Sequence, residues 1–203
     1  MKENESGQFL EEKNLIKEGF LGVVGIDEVG RGSLAGPVVA AAAIINDFTF
    51  FENINLVDSK RISEKKRELF FDFVTSSESI EFSVGIISHK TIDQINILEA
   101  TKMAMRQAVS NLPRADVLLI DGNFLLNTEL EERAIIKGDE KVASCKIASI
   151  IAKVTRDRIM RDEAKRYPEY GFDRNKGYGT KFHFNAISEN GICSIHRKTF
   201  RCL

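Results

Sequence analysis

The chain has 203 residues, and its 29 Lys and Arg against 30 Asp and Glu give a net charge of -1. That length suits one domain with its own core, and no apolar run is long enough for a membrane helix. The first twenty residues, rich in Glu, Lys and Asn, do not resemble a signal peptide, so we expect a cytoplasmic protein. We also expect a monomer. Residues 1–20 are predicted to be a charged leader, and residues 21–203 the domain.

Hydrophobic periodicity predicts strands and helices that follow one another along the chain. In chain order these are strands at 22–29 and 38–45, a helix at 63–75, a strand at 80–86, a helix at 91–112, strands at 117–120 and 134–136, and helices at 142–166 and 180–190. On the helix at 142–166, apolar residues are expected to face the core, with the basic residues, Arg156 among them, lying elsewhere. The pattern predicts an α/β domain.

Metal-binding side chains other than carboxylates are scarce. Cys145, Cys193 and Cys202 have neither zinc-site nor disulfide spacing, and the three histidines form no i, i+4 pair. Any metal is therefore expected to be held by oxygen ligands. Positive charge is concentrated in residues 141–203, which hold 14 Lys and Arg against 6 Asp and Glu. That excess fits either a nucleic-acid partner or a set of solvated helix faces.

Four carboxylates lie where predicted elements end or begin. Asp27 and Glu28 interrupt an apolar strand, Asp121 ends another strand, and Asp139 precedes the long basic helix. Burying adjacent carboxylates is costly, and α/β folds place ligand-binding groups at the ends of central strands. Singly, each residue also fits a turn or an N-cap. Together they fit Mg²⁺ or Mn²⁺ and the hydrolysis of a phosphodiester with the help of two ions.

A glycine-rich turn, GRGSLAGP at residues 30–37, follows the first two carboxylates. Glycines let backbone amides approach a ligand closely, and arginine offers a fork of donors to phosphate. The stretch also matches the spacing of a dinucleotide-binding fingerprint, which should open a helix. Because Pro37 and the apolar run after it predict a strand instead, we reject a dinucleotide-dependent enzyme.

Taken together, these motifs resemble those of bacterial ribonuclease HII, a type 2 ribonuclease H. The resemblance begins with DEVGRG at 27–32 and LAGPVVA at 34–40. It continues in the family's order with DSK at 58–60, NILEAT at 96–101, DGN at 121–123, KGD at 137–139, ASIIAKVTRD at 148–157, YGF at 170–172, NKGYGT at 175–180 and HR at 196–197. It extends from about Leu21 to the end of the chain.

The resemblance implies an RNase H-like fold with a helical C-terminal part, and an endonuclease that cuts RNA paired to DNA. Its substrates would be RNA–DNA hybrids and duplex DNA with embedded ribonucleotides, cut on the 5′ side to leave 3′-hydroxyl and 5′-phosphate ends. The catalytic Mg²⁺ or Mn²⁺ ions would be bound by Asp27, Glu28, Asp121 and Asp139. The substrate would be bound by Gly30, Arg31 and Gly32 at the ribose 2′-hydroxyl, Lys60 at a phosphate and Tyr178 at the next sugar.

Some features depart from the family pattern or leave alternatives open. Lys146 and Ile147 stand where the family usually has small residues, and residues 1–20 lie outside the resemblance. The related ribonuclease HIII proteins carry an added N-terminal domain and usually Lys in the glycine-rich turn, so the chain's length and Arg31 favour HII. The alternative function is a catalytically inactive protein that binds nucleic acid.

Overall fold

The computed structural model describes residues 7–51, 54, 56 and 62–200, and its centre is a five-stranded sheet. The strands are β1 Val23–Val29, β2 Val38–Ile45, β3 Ile80–Ile87, β4 Val117–Asp121 and β5 Glu131–Ile135. The helices are α1 Leu10–Lys17, α2 Glu64–Thr75, α3 His89–Ile95, α4 Ile97–Ser110, α5 Gly138–Lys141, α6 Ala143–Arg166, α7 Phe172–Asn175 and α8 Lys181–Asn190. Within these described ranges, no helix combines the length and apolar character needed to cross a bilayer.

The sheet is mixed and has the strand order β3-β2-β1-β4-β5. Strands β1, β2 and β3 pair in antiparallel fashion, whereas β4 and β5 run parallel to β1. Ile26 of β1 lies beside Ile120 of β4. The residues that follow them, Asp27 and Asp121, are therefore neighbours towards the carboxyl ends of these two parallel strands. The register therefore brings two of the predicted carboxylates together.

Helices cover both faces of the sheet because its central strands are apolar on both sides. On one face, Ala104 and Ala108 of α4 pack against alternate residues of β1 and β2. On the opposite face, Ala148 and Ile151 of α6 pack against the residues between them. Helix α4 can approach β3 closely because Gly85 of β3 has no side chain. A Cβ at this position would overlap the carbonyl oxygen of Ala104. The predicted α/β fold, a mixed sheet flanked by helices, is confirmed.

The C-terminal part forms a helical unit with its own apolar cluster, as expected. Tyr170, Phe172 and Ile187, from α7, α8 and the chain around them, pack against Met160 of α6. Leu34, from the loop between β1 and β2, belongs to the same cluster. The glycine-rich turn is therefore attached to the C-terminal unit as well as to the sheet.

The predicted single helix at 91–112 is wrong, because the chain breaks it into α3 and α4 at Asn96. This residue has φ 68° and ψ 167°, outside the helical range. Its side chain accepts hydrogen bonds from the N–H groups of Leu98 and Glu99 and so caps α4. The apolar spacing continues across the break, which explains why periodicity alone predicted one helix.

Part of the predicted leader packs on the domain. Phe9 and Leu15 are buried in the core clusters. Glu12 of α1 is also buried, and it accepts hydrogen bonds from the N–H and the hydroxyl group of Ser144, each at 2.8 Å. Burial raises the pKa of Glu12 above its ordinary value. Helix α1 is thereby joined to the start of α6.

Candidate active site

Three of the predicted carboxylates meet at one edge of the sheet. Asp27 lies in β1, Asp121 is the last residue of β4, and Asp139 lies in the short helix α5. Each offers a carboxylate oxygen, and these three oxygens lie within 4.8 Å of one another. Asp27 and Asp139 are buried, and Asp121 is partly buried. The trio is compact enough to share bound cations.

The backbone before α5 brings Asp139 into this cluster. Lys137 adopts the left-handed conformation, with φ 62°, and turns the chain towards the end of β4. The N–H of Gly138 then donates to Oδ1 of Asp121 at 2.8 Å. A Cβ at Gly138 would lie only 3.2 Å from the Cα atom of Asp121, so glycine permits this close approach. Asp139 follows directly and reaches the other two carboxylates.

The cluster is electrostatically unfavourable on its own. Burial, followed by the charges of Glu28 and Asp121, raises the pKa of Asp27 well above its ordinary value. Two contacts act in the opposite direction: Asp27 accepts a hydrogen bond from the N–H of Glu28 at 2.7 Å, and another from the side chain of Ser149. Carboxylates held close together in a buried place are typical ligands of hard divalent cations.

Glu28, the fourth predicted carboxylate, lies beside the trio in a different environment. Its Oε1 accepts a hydrogen bond from Nη1 of Arg31 at 3.1 Å. Its Oε2 is buried and has no hydrogen-bond partner in the described part of the chain. Burial raises the pKa of Glu28, and the charge of Arg31 opposes that shift. A buried oxygen without a partner is costly and fits a position that a bound cation would satisfy. The carboxylates present therefore fit divalent ions.

The glycine-rich turn uses its glycines in two different ways. Gly30 and Gly36 have φ values of 95° and 82°, and a Cβ at Gly30 would overlap the side chain of Arg156. Conformation and packing thus require glycine at position 30. Gly32 does not have a positive φ, and apart from its two chain neighbours no described residue has an atom within 4 Å of where its Cβ would be. The missing side chain at Gly32 therefore leaves open space at the surface.

Two fully buried arginines support the turn, and neither was predicted from the sequence to do so. Arg156 donates to the carbonyl oxygens of Ala35, Pro37 and Lys176. Arg197 donates to four carbonyls of the turn itself. The prediction that Arg156 lies off the core face of its helix is wrong. The available signal was its spacing, because Arg156 lies four residues from both Ala152 and Met160, which are buried.

The carbonyl group of Tyr178 is the first member of a series of buried hydrogen bonds. The ring centroid of Tyr178 is 5.4 Å from the guanidinium carbon of Arg156. The carbonyl oxygen of Tyr178 lies 2.9 Å from Nδ1 of His183, whose Nε2 lies 3.0 Å from Nε2 of His196. The N–H of Cys193 donates to Nδ1 of His196 at 2.9 Å. Neither histidine could be given a role from the sequence, because their contact depends on the fold of the C-terminal unit.

One combination of tautomers of His183 and His196 satisfies all the hydrogen bonds of this series. A carbonyl oxygen only accepts, so His183 carries its proton on Nδ1 and accepts at Nε2. His196 then donates from Nε2, which leaves its Nδ1 free to accept from Cys193. Both imidazoles are therefore neutral. Burial, with His183 as the next cause, lowers the pKa of His196 to about 4. A proton added to Nε2 of His183 would set two N–H groups against each other.

The remaining predicted features lie outside this arrangement. Lys60 falls outside the described residues. Ile147, one of the departures from the family pattern, is fully buried among the apolar residues between α6 and the sheet. Its neighbour Lys146 is partly exposed. The larger residue at position 147 therefore fills apolar core.

The basic excess of residues 141–203 is partly neutralised within the fold. Arg158 pairs with Glu68 at 2.6 Å and with Asp72 at 3.3 Å, and Arg161 pairs with Glu64 at 2.8 Å. These pairs join α6 to α2. Exposed pairs of this kind contribute little to stability, but they do compensate charge. The sequence count therefore overstates the positive surface available to a polyanion.

Similarity to known proteins extends over nearly the whole chain. A family model described as Ribonuclease HII matches residues 24–202. The chain belongs to the ribonuclease HII family. Ribonuclease HII of Acetivibrio thermocellus is 51% identical over 203 residues, covering 98% of this chain and 78% of that protein. Ribonuclease HII of Bacillus cytotoxicus is 49% identical over 202 residues, covering 98% and 77%.

A solved structure of the same group has a similar fold. The crystal structure of ribonuclease H2 from Pyrococcus horikoshii OT3 matches with a TM-score of 0.73 at 28% identity, covering 89% of this chain and 94% of that one. The predicted RNase H-like fold is confirmed, as is the resemblance drawn from the motifs, including the choice of HII over HIII. This member of the ribonuclease HII family is an endoribonuclease, a hydrolase.

Proposed function

We propose that this ribonuclease HII family member hydrolyses the RNA strand of RNA–DNA hybrids and cuts on the 5′ side of ribonucleotides embedded in duplex DNA. The products would carry 3′-hydroxyl and 5′-phosphate ends. The observation that carries the proposal is the position of the carboxylate trio, with oxygens within 4.8 Å, beside a glycine-rich turn that is open at Gly32. The 3.1 Å ion pair between Glu28 and Arg31 joins these two parts.

The carboxylates would hold two divalent ions, Mg²⁺ or Mn²⁺. Asp27, Asp121 and Asp139 provide clustered oxygens, and Glu28 adds a buried oxygen that has no partner among the described residues. When bound, such ions activate a water molecule for in-line attack and stabilise the leaving 3′ oxygen. The hydrogen bonds from the N–H of Glu28 and from Ser149 orient the carboxylate of Asp27.

The glycine-rich turn would recognise the ribose beside the scissile phosphate. The 2′-hydroxyl is the group that distinguishes RNA from DNA at a given position. Gly30, Arg31 and Gly32 would contact it largely through backbone groups, and the open space at Gly32 allows a sugar to approach the main chain. Discrimination at this point would place the cut next to a ribonucleotide.

Two further residues would bind the rest of the substrate. Tyr178 is half-buried and lies beside the turn, with its ring against Arg156. It would stack on the sugar of the next nucleotide and help to sense an RNA-to-DNA junction. Lys60 would bind a backbone phosphate, as the resemblance of its motif implies. Arg158 and Arg161 are engaged in ion pairs with α2, so we assign them no substrate contact.

Cleavage of a labelled RNA–DNA hybrid tests this proposal. The purified protein is incubated with hybrid in Mg²⁺, in Mn²⁺ and in chelator, and the product ends are determined enzymatically. We expect cutting of the RNA strand only with an ion, and 3′-hydroxyl ends. Binding of hybrid in chelator without cutting under any ion would instead support the alternative, a catalytically inactive protein that binds nucleic acid.

A further inference from the structure

We infer that Arg197 is a positioning residue for ribose recognition, because its buried guanidinium turns the backbone N–H groups of Arg31 and Gly32 towards the substrate side of the glycine-rich turn. This inference rests on the proposed function, in which that turn contacts the 2′-hydroxyl. It adds a residue from the C-terminal unit, distant in sequence, that sets the direction of the recognising groups.

The side chain of Arg197 is fully buried and is directed at the underside of the turn. Its Nη1 donates to the carbonyl oxygen of Arg31 at 2.9 Å, and its Nη2 donates to that of Gly30 at 2.7 Å. Its Nε donates to Gly36 at 3.0 Å, and Nη2 also donates to Pro37 at 3.1 Å. One planar guanidinium therefore holds four carbonyls of a single loop.

Planar geometry then determines where the amides point. The peptide bonds of the turn are trans, so the carbonyl and the N–H of one peptide unit point in opposite directions. The N–H of Arg31 is opposite the carbonyl of Gly30, and the N–H of Gly32 is opposite the carbonyl of Arg31. Because Arg197 binds both carbonyls, both N–H groups point away from it. Arg31 and Gly32 are exposed, and neither N–H donates to another atom in the described ranges.

The turn would not hold this arrangement by itself. Residues 30–33 form a β-turn, closed by a hydrogen bond from the N–H of Ser33 to the carbonyl of Gly30 at 3.4 Å. The central peptide of a β-turn can flip between two orientations, and glycine at the third position permits both. That central peptide joins Arg31 to Gly32, and its carbonyl is the one that Nη1 of Arg197 binds. The bond therefore selects one orientation.

Arginine suits this task better than lysine. Its rigid fork offers five N–H donors in one plane, whereas lysine offers a point charge on a flexible stem. The surrounding acceptors are neutral carbonyls, and burial, followed by the charge of Arg156, lowers the pKa of Arg197 to about 9. A cation kept in such surroundings is costly, which fits a residue retained for the geometry that it imposes.

The variant R197K, compared with R67K, tests the inference. Arg67 is a matched control: it is also buried and donates to a carbonyl, that of Ile62 at 3.0 Å, but it does not contact the turn. All proteins carry D121N so that nothing is cut. The dissociation constants are measured in Mg²⁺ for a DNA duplex with one ribonucleotide and for the same duplex without it. The preference for the ribonucleotide is the ratio of the two constants.

We expect R197K to reduce this preference by about tenfold, the effect of losing one or two hydrogen bonds to the ribose, with the affinity for all-DNA duplex unchanged. R67K should keep the preference even if it unfolds at a lower temperature. If R197K keeps the preference while the D121N parent shows it, the inference is wrong and the proposed function stands. If the parent shows no preference, ribose recognition by the turn is wrong, and the inference fails with it.

Should R197K fail to fold, nuclear magnetic resonance on isotope-labelled D121N protein decides the question. We expect the Nε–H of Arg197 to exchange slowly with water before substrate is added. We also expect the amides of Arg31 and Gly32 to shift downfield with the ribonucleotide duplex and not with all-DNA duplex. A rapidly exchanging Nε–H, or amides that respond equally to both duplexes, would overturn the inference.

Discussion

In the carboxylate cluster, acidic side chains from β1, β4 and α5 share a small and largely buried volume. In the glycine-rich turn next to it, by contrast, two buried cations are surrounded by carbonyl oxygens. The first region concentrates like charge and leaves Oε2 of Glu28 without a partner among the described residues. In the second region, Arg156 and Arg197 donate seven hydrogen bonds to backbone carbonyls.

The difference corresponds to two tasks. A site for divalent ions gains by being unfavourable when empty, because the bound ions then relieve repulsion as well as supplying chemistry. A site that discriminates a sugar gains by being rigid before the substrate arrives, because ordering it later would cost affinity. Under the proposed function, catalysis and recognition would thus be supported by opposite electrostatic arrangements on adjacent segments of one chain.

The largest effect should come from the carboxylate cluster. We expect Asp121→Asn to reduce cleavage by about a thousandfold or more, since an ion at such a site contributes several kcal/mol to the transition state. Substrate binding should remain nearly intact, because Asp121 is proposed as an ion ligand and not as a phosphate contact. Rates at saturating substrate and dissociation constants in chelator measure the two effects.

The matched control for Asp121→Asn is Asp162→Asn. Asp162 is an exposed carboxylate of α6 that pairs with Lys165 at 2.7 Å, and its loss should leave cleavage unchanged. The two variants should also differ in thermal unfolding. At about 100 times the dissociation constant, Mg²⁺ should stabilise wild type and Asp162→Asn by about 2.7 kcal/mol, and Asp121→Asn by much less. Full activity in Asp121→Asn would refute the assignment of this cluster.

Two glycines of the same turn should respond in opposite ways. Gly32→Ala places its Cβ in open space, so stability should change by less than about 0.5 kcal/mol. Cleavage should still fall by about ten- to a hundredfold, because the methyl group would occupy the space proposed for the sugar. Gly30→Ala should lower the unfolding free energy by about 2 kcal/mol or more, because its φ of 95° and the contact with Arg156 exclude a side chain.

Denaturant unfolding and single-turnover cleavage distinguish these two glycine variants. A Gly32→Ala protein that cuts as fast as wild type would show that the sugar does not approach the chain there. A Gly30→Ala protein of unchanged stability would contradict the packing described for Arg156.

A smaller effect is expected at Tyr178. Removing its ring in Tyr178→Ala should slow cutting at an embedded ribonucleotide by about tenfold, the scale of one aromatic contact. Cutting within a long RNA–DNA hybrid should change less, because no RNA-to-DNA junction has to be sensed. Tyr178→Phe keeps the ring and serves as the control. Equal cutting of junction substrates by Tyr178→Ala and wild type would remove the proposed role.

The smallest expected effect is the pH dependence that the His183–His196 pair gives to the stability of the fold. The pKa of His196 is about 4 in the folded chain, against an ordinary value of 6.5, so the unfolded chain binds the proton more readily. The contribution of the pair to stability is therefore complete above pH 6.5 and declines as the pH falls towards about 4.

Imidazole resonances in a pH titration provide the measurement. The chain has only three histidines, so His89→Gln leaves the two signals of the pair and serves as the control for assignment. The signal of His196 should stay unchanged down to about pH 5 and then move, as burial beside His183 requires. A signal that titrates at its ordinary value would show that the series of hydrogen bonds that begins at Tyr178 is not formed.

Much of the sheet could be predicted from the sequence because its strands are strongly apolar. The runs that became β1, β2 and β4 are continuous, and the alternation in β3 is clear. Asp27 and Asp121 stood out because they end or interrupt those runs. The break at Asn96 was missed because apolar spacing continues through it, while capping depends on one side chain and a positive φ.

The polar interior of the C-terminal unit could not be predicted in the same way. Buried arginine is rare, and Arg156 was expected to lie off the core face of its helix. Its acceptors are carbonyls from segments more than a hundred residues away or beyond α6. The contact between His183 and His196 likewise depends on tertiary packing. Residue types reveal carboxylate sites more readily than they reveal cations that bind the backbone.

The ion-dependent cutting site and its recognition of ribose are best tested together by cleavage of two labelled substrates, a DNA duplex with a single ribonucleotide and a long RNA–DNA hybrid. Each is incubated in Mg²⁺, in Mn²⁺ and in chelator. We expect a cut on the 5′ side of the single ribonucleotide with an ion and no cut in chelator. Cutting of long hybrids without cutting at the single ribonucleotide would contradict ribose recognition by the turn and Tyr178. No cut of either substrate with any ion would contradict the ion-dependent site of Asp27, Glu28, Asp121 and Asp139.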